Sequence, residues 1–197
     1  MPFSGEFVYT WHPCDPLQIL LDLDLPEEAL RLARALLGIR PNDPGLLQSI
    51  SKICERLGML DQAVRYAQTL VALTPDRSEG RRLLGHLYSV SGDWEKSFAE
   101  WEKVLEIAVP PTIDDRLTCA RAALNVGRVE NAVELCEGVL SEDPNHGSAM
   151  GLMGQALIAK GERQQAVDYL VRATHLVPEA LDPWLCLANL QQEMNEP

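Results

Sequence analysis

The sequence predicts an all-α protein, a solenoid of about five helix-turn-helix repeats followed by one further helix. Three observations carry this prediction. Apolar residues recur at helical spacing, glycine and proline interrupt them at intervals, and the interruptions themselves recur every 34 residues. Gly127 and Gly161, Ala132 and Ala166, and Pro144 and Pro178 are each 34 apart, as are Gly58 and Gly92, Ala29 and Ala63, and Pro41 and Pro75. Between Gly92 and Gly127 the step is 35, with the extra residue placed between Trp101 and Pro110.

The first fourteen residues stand apart from the repeats. Phe7, Tyr9 and Trp11 alternate at period two behind Phe3, which describes an extended arm with one apolar face. Such an arm would cover the exposed end of the first repeat, or dock on a neighbouring copy and make a homo-oligomer. The solenoid is expected over residues 15–194, with repeats at about 15–41, 44–75, 78–110, 113–144 and 147–178 and a terminal helix at 182–193.

Each repeat has the same internal logic. A first helix stops at glycine, a short turn follows, and a second helix of about fourteen residues is closed by proline. Glycine inside a helix costs roughly 1 kcal/mol and proline about 3, so both sit where a helix is meant to end. Second helices should begin near Pro26, Leu60, Asp93, Val129 and Arg163. Asp15-Pro16, Asp43-Pro44 and Asp182-Pro183 have the form of an N-cap followed by proline at the first helical position. The first repeat departs from the rest, with Asp24 where the others carry glycine.

Small residues fall at matching places in the second helices (Ala29, Ala63, Ser97, Ala132, Ala166) and in the first helices (Gly85, Ala120, Gly154, Ala188). Two helices that approach closely need small side chains at the crossing, so these positions belong to the core. Larger apolar neighbours, Leu84, Cys119, Met153 and Leu187, should pack beside them.

Leu84-Gly85-x-x-Tyr88, Met153-Gly154 with Ala166 and Pro178, and Trp184-x-x-Leu187-Ala188 resemble the tetratricopeptide repeat signature over nearly the whole chain. That resemblance implies a right-handed array whose first helices line a concave, ligand-binding face. The last helix is then either a polar cap, as Gln191, Gln192, Glu193 and Asn195 favour, or the edge of a longer protein.

Lys and Arg total 17 against 29 Asp and Glu, a net charge of −12 that argues against nucleic acid as the main ligand. No apolar run approaches the 18–20 residues of a membrane span, and MPFSGEF lacks the features of a secretory signal. The five cysteines, Cys14, Cys54, Cys119, Cys136 and Cys186, include no C-x-x-C pair and are expected as small buried hydrophobes kept reduced in a cytoplasm.

No catalytic, cofactor-binding or metal-binding constellation is present. The sequence lacks G-x-S-x-G, H-E-x-x-H, a phosphate loop and a dinucleotide fingerprint, and His12, His86, His146 and His175 are scattered. Asp114-Asp115 and Glu27-Glu28 begin helices, where carboxylates favour the positive end of the dipole.

Carrying the family's groove positions onto this chain gives three rows. The first is Gln48, Arg82, Leu117, Gly151 and Leu185; the second Lys52, His86, Arg121, Gln155 and Asn189; the third Glu55, Ser89, Leu124, Ile158 and Gln192, with Arg56 and Asn125 beside it. The early part is cationic and the later part apolar, with Gly151 expected to leave room for a bulky ligand side chain. A partner peptide or protein segment with acidic residues at one end and apolar residues at the other would fit.

The lysine and asparagine clamp that related proteins use for chaperone tails is not reproduced by Gln48, Lys52, Arg82, His86, Asp114, Thr118, Ser148 and Leu152. The expected role is a non-catalytic protein-interaction scaffold without cofactor. Two alternatives stand beside it: the recognition arm of a larger glycosyl-, sulfo- or methyltransferase, and a secretion-type chaperone holding an export substrate.

Overall fold

A computed structural model of the chain describes residues 16–195. The arm with Phe3, Phe7, Tyr9 and Trp11, the candidate cap Asp15, and His12 and Cys14 lie outside the described residues. Eleven helices make up the described part: α1 (Pro16–Asp22), α2 (Pro26–Ile39), α3 (Pro44–Arg56), α4 (Leu60–Leu73), α5 (Ser78–Val90), α6 (Trp94–Ile107), α7 (Ile113–Asn125), α8 (Val129–Glu142), α9 (Gly147–Lys160), α10 (Arg163–Leu176) and α11 (Leu181–Asn195). The chain divides into two compact units, Met1–Leu87 and Tyr88–Pro197, with the division inside α5.

The same turn closes every hairpin. Gly58, Gly92, Gly127 and Gly161 have φ between 71 and 81°, in the left-handed region. The residue after each donates its N–H to the carbonyl five residues back, as in Met59→Cys54 at 2.8 Å and Glu162→Leu157 at 2.9 Å. This satisfies a carbonyl that the end of the first helix would otherwise leave without a partner. The first repeat makes the same turn without glycine: Asp24 has φ 57°, and Leu25 N–H reaches Leu20 O at 2.9 Å. Asp and Asn tolerate this conformation better than other residues, and the Asp24 carboxylate accepts a 2.7 Å bond from Arg56.

Loops from one repeat to the next contain four residues at 40–43, 74–77, 143–146 and 177–180, and five at 108–112. The extra residue therefore lies outside the helices, in the loop that holds the cis Val109–Pro110 peptide. Asp43 caps α3 as expected, accepting from Leu46 N–H at 3.1 Å ahead of Pro44. Asp182 does not cap α11. That helix starts one residue earlier, at Leu181, and Pro183 fits within its first turn, where N–H groups have no intrahelical acceptor.

In the first unit α1 packs on α2, α2 on α3 and α3 on α4. Its core includes Leu17, Ala29, Leu47, Ile50, Cys54, Ala63 and Leu84. Ser51 is buried among them and donates its hydroxyl to Ala63 O at 2.8 Å, so the polar atom has a partner. In the second unit each of α6 to α11 packs on the next, and α7–α9 and α9–α11 also touch. One continuous cluster joins Phe98, Trp101, Cys119, Ala132, Cys136, Met153, Ala166 and Leu170. Ala29, Ala63, Ser97, Ala132 and Ala166 are all fully buried. Ala188 differs: it is exposed, because no second helix follows α11 among the described residues to pack on it.

Space decides the glycines of these helices. A Cβ on Gly154 would lie 2.6 Å from Cγ of fully buried Leu170, whereas on Gly138 it would meet nothing nearer than Arg116 Nη1 at 3.9 Å. Gly154→Ala is therefore expected to lower the unfolding free energy by about 1–3 kcal/mol despite its helix propensity, while Gly138→Ala raises it by about 0.5–1 kcal/mol. Urea denaturation checks both.

Burial pushes the Cys119 and Cys136 thiols up to about 12, with Glu102 and Glu137 respectively adding to the rise. A thiol reagent at pH 8 should label them only after unfolding, as peptide mapping would show. The raised folded values also set a pH dependence. Their contribution is present below the ordinary thiol value of 9.0 and is lost as pH climbs toward 12, so stability falls over that window. Denaturant midpoints at pH 8 and 10 should converge in Cys119→Ala/Cys136→Ala relative to the native chain.

Candidate functional site

The candidate residues divide between the two units. In the first, α3 carries Gln48, Lys52 and Arg56, and α5 carries Arg82 and His86. Lys52, Arg56 and His86 are exposed, and Gln48 and Arg82 are half-buried. Two members of the expected basic run have acidic partners. His86 Nε2 lies 2.7 Å from Glu55 Oε1, and Arg56 Nη2 lies 2.7 Å from Asp24 Oδ1. Pairs this exposed contribute little to stability, about 0–1 kcal/mol, and the Asp24 carboxylate offsets the Arg56 charge at the surface. The acid on Arg56 comes from the hairpin turn, a position outside the groove rows. Lys52 makes no ion pair among the described residues.

In the second unit, α7 carries Leu117, Arg121, Leu124 and Asn125, α9 carries Gln155 and Ile158, and α11 carries Leu185 and Asn189. Leu117 is not a surface anchor. It is 7% exposed and belongs to the core cluster, because α7 is packed on α6, α8 and α9 together. Leu124 is half-buried against the same cluster. Arg121 and Asn125 are exposed, and the Asn125 amide donates to Arg121 O at 2.9 Å, which ties it to the backbone. Asn189 is exposed on α11.

Gly151 offers no empty space either. A Cβ there would sit 3.2 Å from Pro183 Cγ, so the missing side chain lets α11 approach α9 and leaves no room for a ligand.

The two helices open into a cleft beyond that contact. An open hollow of about 360 Å³ is lined by Gln155 and Ile158 from α9 and by Asp182, Leu185 and Cys186 from α11. Three of these were expected from the groove rows. Asp182 and Cys186 were not, although 182, 185, 186 and 189 share one helical face, the spacing that would have revealed them. Leu185 is 61% exposed. Burial raises the Cys186 thiol above its ordinary value, the Asp182 charge raises it further, and a hydrogen bond with Gln155 opposes the rise. The thiol is thus held neutral, the form suited to packing and poor as a nucleophile.

Among the described residues, several of the carboxylates noted in the sequence and His146 serve helix ends. Thr112 and Asp115 form a reciprocal cap on α7, with Asp115 N–H on Thr112 Oγ1 at 3.1 Å and Thr112 N–H on Asp115 Oδ2 at 3.0 Å. Glu27 and Glu28 occupy the first turn of α2, and His146 accepts from Ala149 N–H at the start of α9. Among the described residues no group of three or more His, Cys, Asp or Glu side chains is placed to hold a metal, and no helix is long and apolar enough to cross a membrane.

A family model described as tetratricopeptide repeat matches residues 123–190. Solved structures are similar over more of the chain. The crystal structure of MamA matches with TM-score 0.74 at 19% identity, covering 84% of this chain and 96% of that one. YrrB, described as a tetratricopeptide repeat protein with an unusual peptide-binding site, matches with TM-score 0.74 at 15% identity, covering 85% and 86%. A Podosopora anserina putative kinesin light chain with nearly identical repeats of this type matches with TM-score 0.69 at 19% identity, covering 83% and 92%. The turns and the buried small residues agree with these likenesses: residues 123–190 match the tetratricopeptide repeat model, and the helical hairpins share the fold of those solved structures.

Proposed function

We propose that the chain is a non-catalytic interaction module that binds a segment of a partner protein on the first helices of its second unit. The observation that carries this is the cleft between α9 and α11, where Gln155, Ile158 and Leu185 meet around an accessible apolar hollow. Such a hollow suits one apolar side chain of an extended ligand, the kind of anchor that dominates binding energy. Two helices already packed together lose little freedom on binding, so the ordering cost falls on the segment. The peptide-binding site named for YrrB is in keeping with this reading.

Arg121 on α7 supports an acidic residue in the same ligand, since its side chain is exposed and makes no ion pair among the described residues. Lys52 offers a similar cation in the first unit. We place the protein in the cytoplasm, a reading supported by the free thiols of Cys54, Cys119, Cys136 and Cys186.

A displayed peptide library selected on the native chain tests the proposal. Selected peptides should protect α9 and α11 from hydrogen exchange, and Leu185→Glu should weaken them at least tenfold. Protection confined to other helices would sink the site. For selected peptides that contain an acid, Arg121→Glu should cost about 1.5–3 kcal/mol in affinity, the range for a bond to a charged group; fluorescence anisotropy reads both variants.

A further inference from the structure

We propose that the ligand of the α9–α11 cleft carries a basic residue, preferably arginine, next to its apolar anchor, and that Asp182 receives it. This rests on the segment-binding reading above and specifies its chemistry. Of the five residues lining the cleft, Asp182 alone is charged. It is exposed, and its carboxylate makes no hydrogen bond or ion pair among the described residues. The other polar groups of the lining, Gln155 and Cys186, bring no charge to the cleft.

A side chain that fills the hollow between Ile158 and Leu185 also takes water away from Asp182. A carboxylate covered without a partner is strongly unfavourable, and a cation brought by the ligand removes that penalty. Arginine fits better than lysine because its planar fork bonds both carboxylate oxygens. The net charge of −12 adds a long-range attraction for a cationic segment. Leu181, one turn before Leu185 and 72% exposed, extends the apolar strip past the cleft, so the anchor and the cation can lie side by side.

Across the second unit the order of packed first helices is α7, α9, α11. Arg121 stands at one edge and Asp182 at the other. Opposite charges at opposite edges select one chain direction of the ligand. With helix spacings of about 8–10 Å, the two edges are about 20 Å apart, which an extended segment crosses in about six residues.

The test is a library of nonapeptides with a fixed central leucine and all other positions varied, selected on the native chain, Asp182→Asn and Asp182→Lys. Circular dichroism confirms that each variant keeps its helices. The native chain should enrich Arg and Lys within three residues of the leucine. Asp182→Asn should weaken the best peptide about tenfold, and Asp182→Lys should shift the enrichment at that position to Asp and Glu. Retained peptides that lack a basic residue there, or a preference unchanged by Asp182→Lys, would overturn this inference alone. Retention of no peptide by any of the three would overturn the segment-binding reading and this inference with it.

Discussion

Close approach of helices is the constraint on which the rest of the structure depends. In every hairpin one position of the second helix, Ala29, Ala63, Ser97, Ala132 or Ala166, is sealed from solvent and holds a side chain of at most two heavy atoms. A larger group would push the two helices apart and open the core behind them. The left-handed residue that ends each first helix serves the same approach, since it reverses the chain within a few residues and sets where the second helix begins. Once turn and crossing are in place, equivalent positions of α7, α9 and α11 are presented in a fixed register within the second unit. The cleft at Gln155, Ile158 and Leu185 exists because of that register.

The fold was legible because its signals are local and repeated. Glycine, proline and small residues at a fixed spacing put the second-helix starts at Pro26, Leu60, Val129 and Arg163, where they are observed, and the third at Asp93, which proves to be the cap before Trp94. Asp24 was harder to place, since the left-handed turn it makes is invisible when one looks only for glycine. The start of α11 was misplaced by one residue because Asp-Pro is a plausible cap wherever it occurs, and only packing decides whether the helix begins before it.

The site was less legible because its chemistry lies between helices. His86 meets Glu55 at a separation of 31 residues and Arg56 meets Asp24 at 32, and Gln155 with Cys186 and Gly151 with Pro183 show the same offsets. These separations fall two or three residues short of one repeat. Aligning the chain with itself at the full period compares equivalent positions, which do not touch, and passes over the pairs that do. The space at Gly151 was misjudged in this way, and the Asp24 partner of Arg56 was passed over. Leu117 was misjudged for another reason: its burial follows from α7 having three neighbours, a property of the assembly that no single helix displays.

The five-residue loop at 108–112 has a consequence for how this chain can be altered. One residue added within a helix turns everything after it by about 100°, which would rotate apolar faces out of the core. Added between repeats, it leaves both neighbouring helices in phase, and loop closure grows so slowly with length that a doubling costs about 0.6 kcal/mol. The molecule already accommodates one such lengthening at 108–112. The connectors between hairpins are accordingly the joints at which a tag, a sensor peptide or a second binding segment can be spliced without disturbing the helices on either side.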